Sequence, residues 1–235
     1  MILAVHERIV CEALGEALGE ALGPRALRLV IRANKRSDLH QLAPAYHFDS
    51  APTPRALCDL WQRGLHAWLT RAVARAAPSG REARPLERRR ALADFGRATH
   101  AVADFYAHTN WIELALARGE SPAPAPLLAG FSDPAQLPAD LQSGYFHLRY
   151  GLTGCPRGGP PAGFAFCHAQ LNKDSPQRGH GAERSGRADL TYHDIAVQLA
   201  IASTRSAWDA VRAGIGAAQG EAALAERSIA RLAKG

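Results

Sequence analysis

Long apolar runs are missing from this chain of 235 residues. Nowhere do the roughly 20 consecutive apolar residues of a membrane-spanning helix occur, and Met1 to Val5 meet His6, Glu7 and Arg8 before a signal-peptide core can form. As written, the chain reads as soluble, unprocessed and cytoplasmic, unless it is exported by a route not visible in the sequence. Cysteine is scarce: the four residues stand at 11, 58, 155 and 167 with no CxxC pair. That excludes a disulfide scaffold and a Cys-type zinc site, and makes a reducing compartment the default. Period-two alternation is essentially absent, so the fold class is all-α. What is present, 47% hydrophobic and 21% charged residues, is globular in kind. The length fits a single domain over 1–235 with a packed core. A net charge of +6 permits attraction to the phosphates of nucleic acid or anionic lipid without requiring it.

The tract Glu12-Ala-Leu-Gly, Glu16-Ala-Leu-Gly, Glu20-Ala-Leu-Gly places Leu14, Leu18 and Leu22 on one stripe of a helix running from Met1 to about Gly23, stopped by Gly23-Pro24. A second helix is expected over 25 to 36, then an ordered connection over 40 to 54. Leu60, Trp61, Leu65, Trp68 and Leu69 mark an amphipathic helix over about 57 to 77. A long Ala-, Leu- and Arg-rich helix is expected from about 86 to 117. Pro122, Pro124, Pro126, Gly158, Gly159, Pro160 and Pro161 make 119–166 an irregular excursion, of a length that usually carries function. Two further helices are expected over about 189 to 214 and 221 to 233.

Chemistry concentrates on the long helix. His100, Asp104 and His108 stand at i, i+4 and i+8, each about 40° round from the last, and so share one face. Among apolar neighbours such a face needs partners or metal. Either histidine alone reads more simply as a cap on a backbone carbonyl. The trio reads as a metal site, because His6, Asp38 and His47 supply further imidazole and carboxylate ligands of the kind zinc accepts. Since i to i+8 spans roughly 12 Å, His100 and His108 cannot clasp one ion, so at least two metals are expected, with Asp104 able to bridge.

His6-Glu-Arg-Ile, Asn34 to Asp38, His47-Phe48-Asp49, His100-Ala-Val-Ala-Asp104-Phe-Tyr-Ala-His108-Thr-Asn110-Trp111-Ile-Glu113-Leu and Leu171-Asn-Lys-Asp174-Ser-Pro176 together resemble the bacterial and fungal Het-C family. That family is similar to the all-α superfamily of trinuclear zinc phospholipases C and single-strand nucleases. The matching positions spread from residue 6 to about 208, and Asp-Phe-Tyr-Ala-His-Thr-Asn-Trp is the most specific segment. The resemblance implies a helical bundle of that type holding two or three zinc ions. One would be bound by Asp38, His47, His100 and Asp104. A second, near His6, would be bridged by Asp104 and completed by Met1. A third would take His108 with His168 and an acid four residues on, where this chain has Asn172. An amide is a poor zinc ligand, so Asp174 or His193 is the expected substitute. For Asp174 to reach His108, the chain must leave the helix at Leu171 to Pro176, as Asn-Lys-Asp-Ser-Pro favours.

The function expected from this pattern is phosphodiester hydrolysis of phospholipase C type by metal-activated water, with Asp38 orienting or deprotonating the water. Phospholipid or a membrane surface is the expected partner. A single-strand nuclease is an alternative with little aromatic support at 7%. The Het-C resemblance also implies roles in cell death, hence a membrane-active toxin with structural zinc as a third reading. Phe48, Tyr106 and the excursion are expected to line the pocket, with Lys173 available to a phosphate. His40, His66 and His147 read as surface or core-edge residues, Arg88 to Arg90 as a solvated helix face, Trp61 and Trp68 as core, and His180 as a ligand candidate in a Gly-rich loop.

Overall fold

A computed structural model describes residues 2–15, 22–79, 81–128, 131–153, 155–187 and 189–235. Among them the chain is all-α and contains no sheet, only isolated β-bridges such as Thr109 with Ser143 and Tyr145 with Cys167. The helices are α1 (Leu3–Leu14), α2 (Pro24–Ser37), the single turn α3 (Pro44–His47), α4 (Pro54–Trp61), α5 (Ala67–Ala76), α6 (Pro85–His108), α7 (Trp111–Ala117), the single turn α8 (His168–Leu171), α9 (Tyr192–Gln219) and α10 (Ala222–Lys234). None of the described helices is long and apolar enough to cross a membrane.

Helix α6 is the axis of the bundle, packed by α1, α2, α3, α5 and α9. It starts at a proline, where a missing N–H costs nothing, and Glu87 accepts a hydrogen bond from the Arg84 N–H at 2.6 Å. From Ala98 to His108 every residue is buried, and Ala98, Ala101, Ala103 and Ala107 let neighbouring helices approach. Gly96 sets the closest crossing: a Cβ there would stand 2.5 Å from the Val30 carbonyl oxygen and 2.8 Å from the Ala33 Cβ. One turn on, Asn34 Nδ2 donates to Thr99 Oγ1 at 2.9 Å. This crossing delivers the end of α2, and with it Asp38, to His100. Apolar side chains gather on both sides of the axis, one cluster around Trp61, Trp68, Phe105 and Tyr106 and the other around Leu14, Leu92, Phe95 and Trp208.

Three boundaries and one covalent link differ from what the sequence implies. Helix α1 ends at Leu14, and Gly15 is extended. Leu14 and Leu22 are both buried, but through a loop contact in which Leu22 N–H donates to the Leu14 carbonyl at 3.2 Å; Leu18 lies outside the described residues. The helix expected over 57 to 77 is α4 and α5 joined by a π-helical turn at Gln62–His66. The helix expected over 86 to 117 breaks after His108. There Thr109 is extended with its hydroxyl donating to the Phe105 carbonyl at 2.7 Å, and Asn110 brackets the excursion by donating to Asp140 O and accepting from Gln142 N. The fourth difference is covalent: Cys155 and Cys167 form a single disulfide across 5.7 Å between Cα atoms, where a reducing compartment is the expected default. Spacing alone held no sign of that pair, which closes on itself inside the irregular region.

Among its described residues the excursion over 119–166 is irregular apart from 3₁₀ turns, yet bundle side chains pin it. Trp111 Nε1 donates to the Ala123 carbonyl, Trp61 Nε1 to the Leu127 carbonyl, and the Tyr106 hydroxyl accepts from Ala125 N–H.

Candidate metal centre

The shared face of α6 meets four other segments. Asp104 is fully buried, with Oδ1 3.3 Å from His6 Nε2 on α1 and Oδ2 2.9 Å from His47 Nδ1 on α3. His100 Nε2 lies 3.1 Å from the same Oδ2, 3.3 Å from His47 Nδ1 and 3.8 Å from Asp38 Oδ1. With metal bonds of about 2.1 Å, tetrahedral ligand atoms sit about 3.4 Å from one another, and these separations bracket that value. Two overlapping groups, His6 with His100 and Asp104, and Asp38 with His47 and His100, can each hold an ion.

His47 and Asp49 enter the site from one short stretch because Phe48 between them is left-handed, at φ 50° and ψ 33°. A bulky residue in that region is strained, and such strain gathers at functional sites. The Phe48 ring, fully buried edge-on against Phe105, holds it there.

A third group forms at the end of α6. His108 Nδ1 donates to the His47 carbonyl at 2.9 Å, leaving Nε2 3.1 Å from Asp174 Oδ1. His168 has the same division of labour, with Nδ1 held by Asp49 Oδ1 at 2.8 Å. Fixing one ring nitrogen with an oxygen acceptor aims the other, the usual second support of a metal-binding histidine; here Nε2 of His108 faces Asp174 and Nε2 of His168 faces Asn172. Asp49, His108 and His168, and Asp104, His108 and Asp174, are the two further groups close enough to hold an ion. His168 is brought in by the close approach of Gly144, where a Cβ would lie 2.6 Å from the His168 Cα.

The turn after α8 carries Asp174 back. Asn172 is extended, and its Oδ1 accepts from Asp174 N–H at 2.8 Å while its Nδ2 lies 3.0 Å from His168 Nε2. The turn is anchored by Lys173, whose ammonium is fully buried and donates to Thr109 O, Leu171 O and Glu113 Oε1 at 2.9, 2.8 and 2.7 Å.

Electrostatics differ between the two ends of the site. Burial holds His6 down at about 3, so it is a neutral donor. Burial alone would lower His108 as well, but the carboxylates of Asp49, Asp104 and Asp174 outweigh it and lift it to about 9. Burial opposes ionisation of Asp104 and Asp174, and the surrounding positive charge, His108 included, holds both well below the usual carboxylate range. Both nitrogens of His6, Nε2 of His47 and Nδ1 of His100 are buried with no hydrogen-bond partner among the described residues. Leaving such groups unpaired is costly, and an ion beside Asp104 answers the need at His6. The residues therefore fit a multinuclear metal centre.

Of the residues singled out in the sequence, His6, Asp38, His47, His100, Asp104, His108, His168 and Asp174 are brought together. His193 is not: its Nδ1 donates to the Lys173 carbonyl at 2.8 Å, making it a support of the turn. His180 sits on Glu113 and Glu183, away from the metal groups. Met1 lies outside the described residues. Lys173 points into the protein rather than towards a phosphate. Phe48 and Tyr106 are core, not pocket lining, the Tyr106 hydroxyl lying 2.6 Å from Ser203 Oγ. Asp49 is the residue given no site role from the sequence, although it stands in the His47-Phe48-Asp49 segment two positions after His47.

No protein-family model, curated protein or solved structure matches the chain.

Proposed function

We propose that the chain is a zinc-dependent phosphodiesterase of phospholipase C type. The observation that carries this is the Asp104 carboxylate set between two imidazole groups, with a third His/Asp group one helical turn further along α6. Imidazole and carboxylate donors at tetrahedral spacing favour zinc, and the residue pattern resembles the trinuclear phospholipases. Bound there, the ions would polarise a phosphoryl oxygen and activate water near neutral pH.

The chain's own part is to hold and to accept a proton. His6, His100 and Asp104 are fully buried and rigidly placed, whereas the Asp38 side chain is 25% exposed at the edge of the group. Burial raises its carboxyl above the usual range, which suits a residue that orients or deprotonates the attacking water. The nearby cysteines are not needed as nucleophiles, since Cys58 is buried in the core and Cys167 is in the disulfide.

A second reading, a membrane-active effector whose ions are structural, is favoured by the same deep burial of His6, His100 and Asp104. The experiment measures hydrolysis of phosphatidylcholine and of a single-stranded oligonucleotide by zinc-loaded protein and by Asp38→Asn. Headgroup release that falls on the order of a hundredfold or more in the variant is expected. Lost hydrolysis with membrane toxicity intact supports the effector, and no lipid hydrolysis by the zinc-loaded wild type overturns the phosphodiesterase.

A further inference from the structure

One face of the molecule is strongly basic and takes no part in the metal centre. Arg25, Arg28, Arg32 and Arg36 recur along the exposed side of α2. Arg89 and Arg90, near the start of α6, line with Arg32 and Arg36 a cavity of about 610 Å³. The guanidinium groups of these six residues have no ion-pair or hydrogen-bond partner among the described residues. Other arginines are met by acids: Asp94 takes Arg75 and Arg97, the latter also lining the cavity, Glu82 takes Arg227 and Arg231, and Glu120 takes Arg118. On the basic face Glu7 is already held by Lys35. An array of like charges without counter-charges is complementary to an anionic surface.

Protruding apolar side chains accompany the arginines at Leu39, which lines their cavity, and at Leu42, three residues further along the chain. Leu39 and Leu42, 79% and 77% exposed, project just after Asp38. Leu39 lines both the arginine cavity and a neighbouring one of about 660 Å³ that also holds Leu3, Arg25 and Arg28. Leu86, 56% exposed, stands three and four residues before Arg89 and Arg90 on α6, which puts it on their side of the helix. Nucleic acid has no use for projecting leucines, and the aromatic ring that lines the arginine cavity, His40, is already stacked on Tyr46 at 4.6 Å. A bilayer uses both features, phosphates against the arginines and acyl boundary against the leucines.

We propose that this face docks the protein on an anionic phospholipid bilayer, with Arg32, Arg36, Arg89 and Arg90 contacting lipid phosphates and Leu39 and Leu42 entering the acyl boundary. Docking needs none of the metal ligands, so the proposal goes beyond the phosphodiesterase reading. It brings Asp38, between Arg36 and Leu39 in the chain, next to the lipid surface.

The test is vesicle flotation with the full chain, using phosphatidylcholine alone and phosphatidylcholine mixed with phosphatidylglycerol. Wild type is expected to favour the anionic vesicles, less so as salt rises. The quadruple variant Arg32→Gln, Arg36→Gln, Arg89→Gln, Arg90→Gln is expected to lose on the order of a hundredfold of that binding. Leu39→Asn with Leu42→Asn should weaken it as well, with zinc content and melting temperature unchanged in both, since all six side chains are exposed. Equal partition to the two vesicle types, no binding by wild type, variants that bind like wild type, or arginines needed for oligonucleotide rather than vesicle binding would each overturn it. Vesicle binding without lipid hydrolysis would leave docking standing and sink the proposed activity; hydrolysis of a soluble diester without vesicle binding would do the reverse.

Discussion

The two oxygens of Asp104 face different imidazoles, Oδ1 towards His6 and Oδ2 towards His47 and His100, so under the proposed function its charge would serve two ions at once. Asp104→Asn is expected to lower the zinc content of the purified protein at two positions, whereas His108→Ala lowers it at one; elemental analysis of both variants reads the difference, and equal losses would contradict the bridge. His108 makes a pH prediction with a definite sign. Its folded-state value of about 9 lies above the ordinary value of about 6.5. In metal-free protein its charged form therefore stabilises the fold fully below about 6.5, and that contribution is lost as pH rises through about 9. An ion taken at Nε2 must displace that proton, so apparent zinc affinity at this position should rise about tenfold per pH unit until His108 has titrated. Calorimetric titration near neutral pH in buffers of different ionisation enthalpy should find one more proton released by wild type than by His108→Ala. Equal release would refute the assignment.

Among the elements, the crossing of α2 over α6 decides where Asp38 stands. Gly96→Ala puts a methyl 2.5 Å from the Val30 carbonyl oxygen, and the helices must separate. Overpacking of this kind costs about 1–3 kcal/mol against about 1 kcal/mol regained from helix propensity. The variant should melt a few degrees lower, by roughly 2–4 °C per kcal/mol for a chain of this size, and hold the ion beside Asp38 more weakly. Thermal melts with and without added zinc check both parts. The helices were legible because apolar spacing and Pro or Gly stops are local signals. Their interruptions were not: the break at Thr109 comes from a hydroxyl bonding back to Phe105 and from Asn110 reaching residues 140 and 142, contacts that no window of neighbouring residues contains. The face of His100, Asp104 and His108 was legible from period alone, while Asp49 was not, because its orientation depends on Phe48 adopting a left-handed backbone.

At the scale of the whole molecule, the centre ties together α1, α3, α6, the end of α2 and the turn after α8, so removing ions should loosen several elements together. For ions present at about a thousand times their dissociation constant, linkage gives about 4 kcal/mol, or a fall in melting temperature of roughly 10 °C on chelation. Calorimetric scans before and after chelator, and after zinc is restored, measure it; a melting temperature indifferent to chelator would mean that the buried imidazoles stand without metal. The pinned excursion was beyond a linear reading, since it depends on where distant helices set their side chains, and the Cys155–Cys167 link was too, since it depends on the path of an irregular loop. The central claim is a cluster of ions bridged through Asp104, and its most direct test is anomalous diffraction at the zinc absorption edge from crystals grown with zinc. The account predicts separate peaks on either side of the Asp104 carboxylate and a further one between His108 and Asp174; a single peak elsewhere, or none within reach of Asp104, would contradict it.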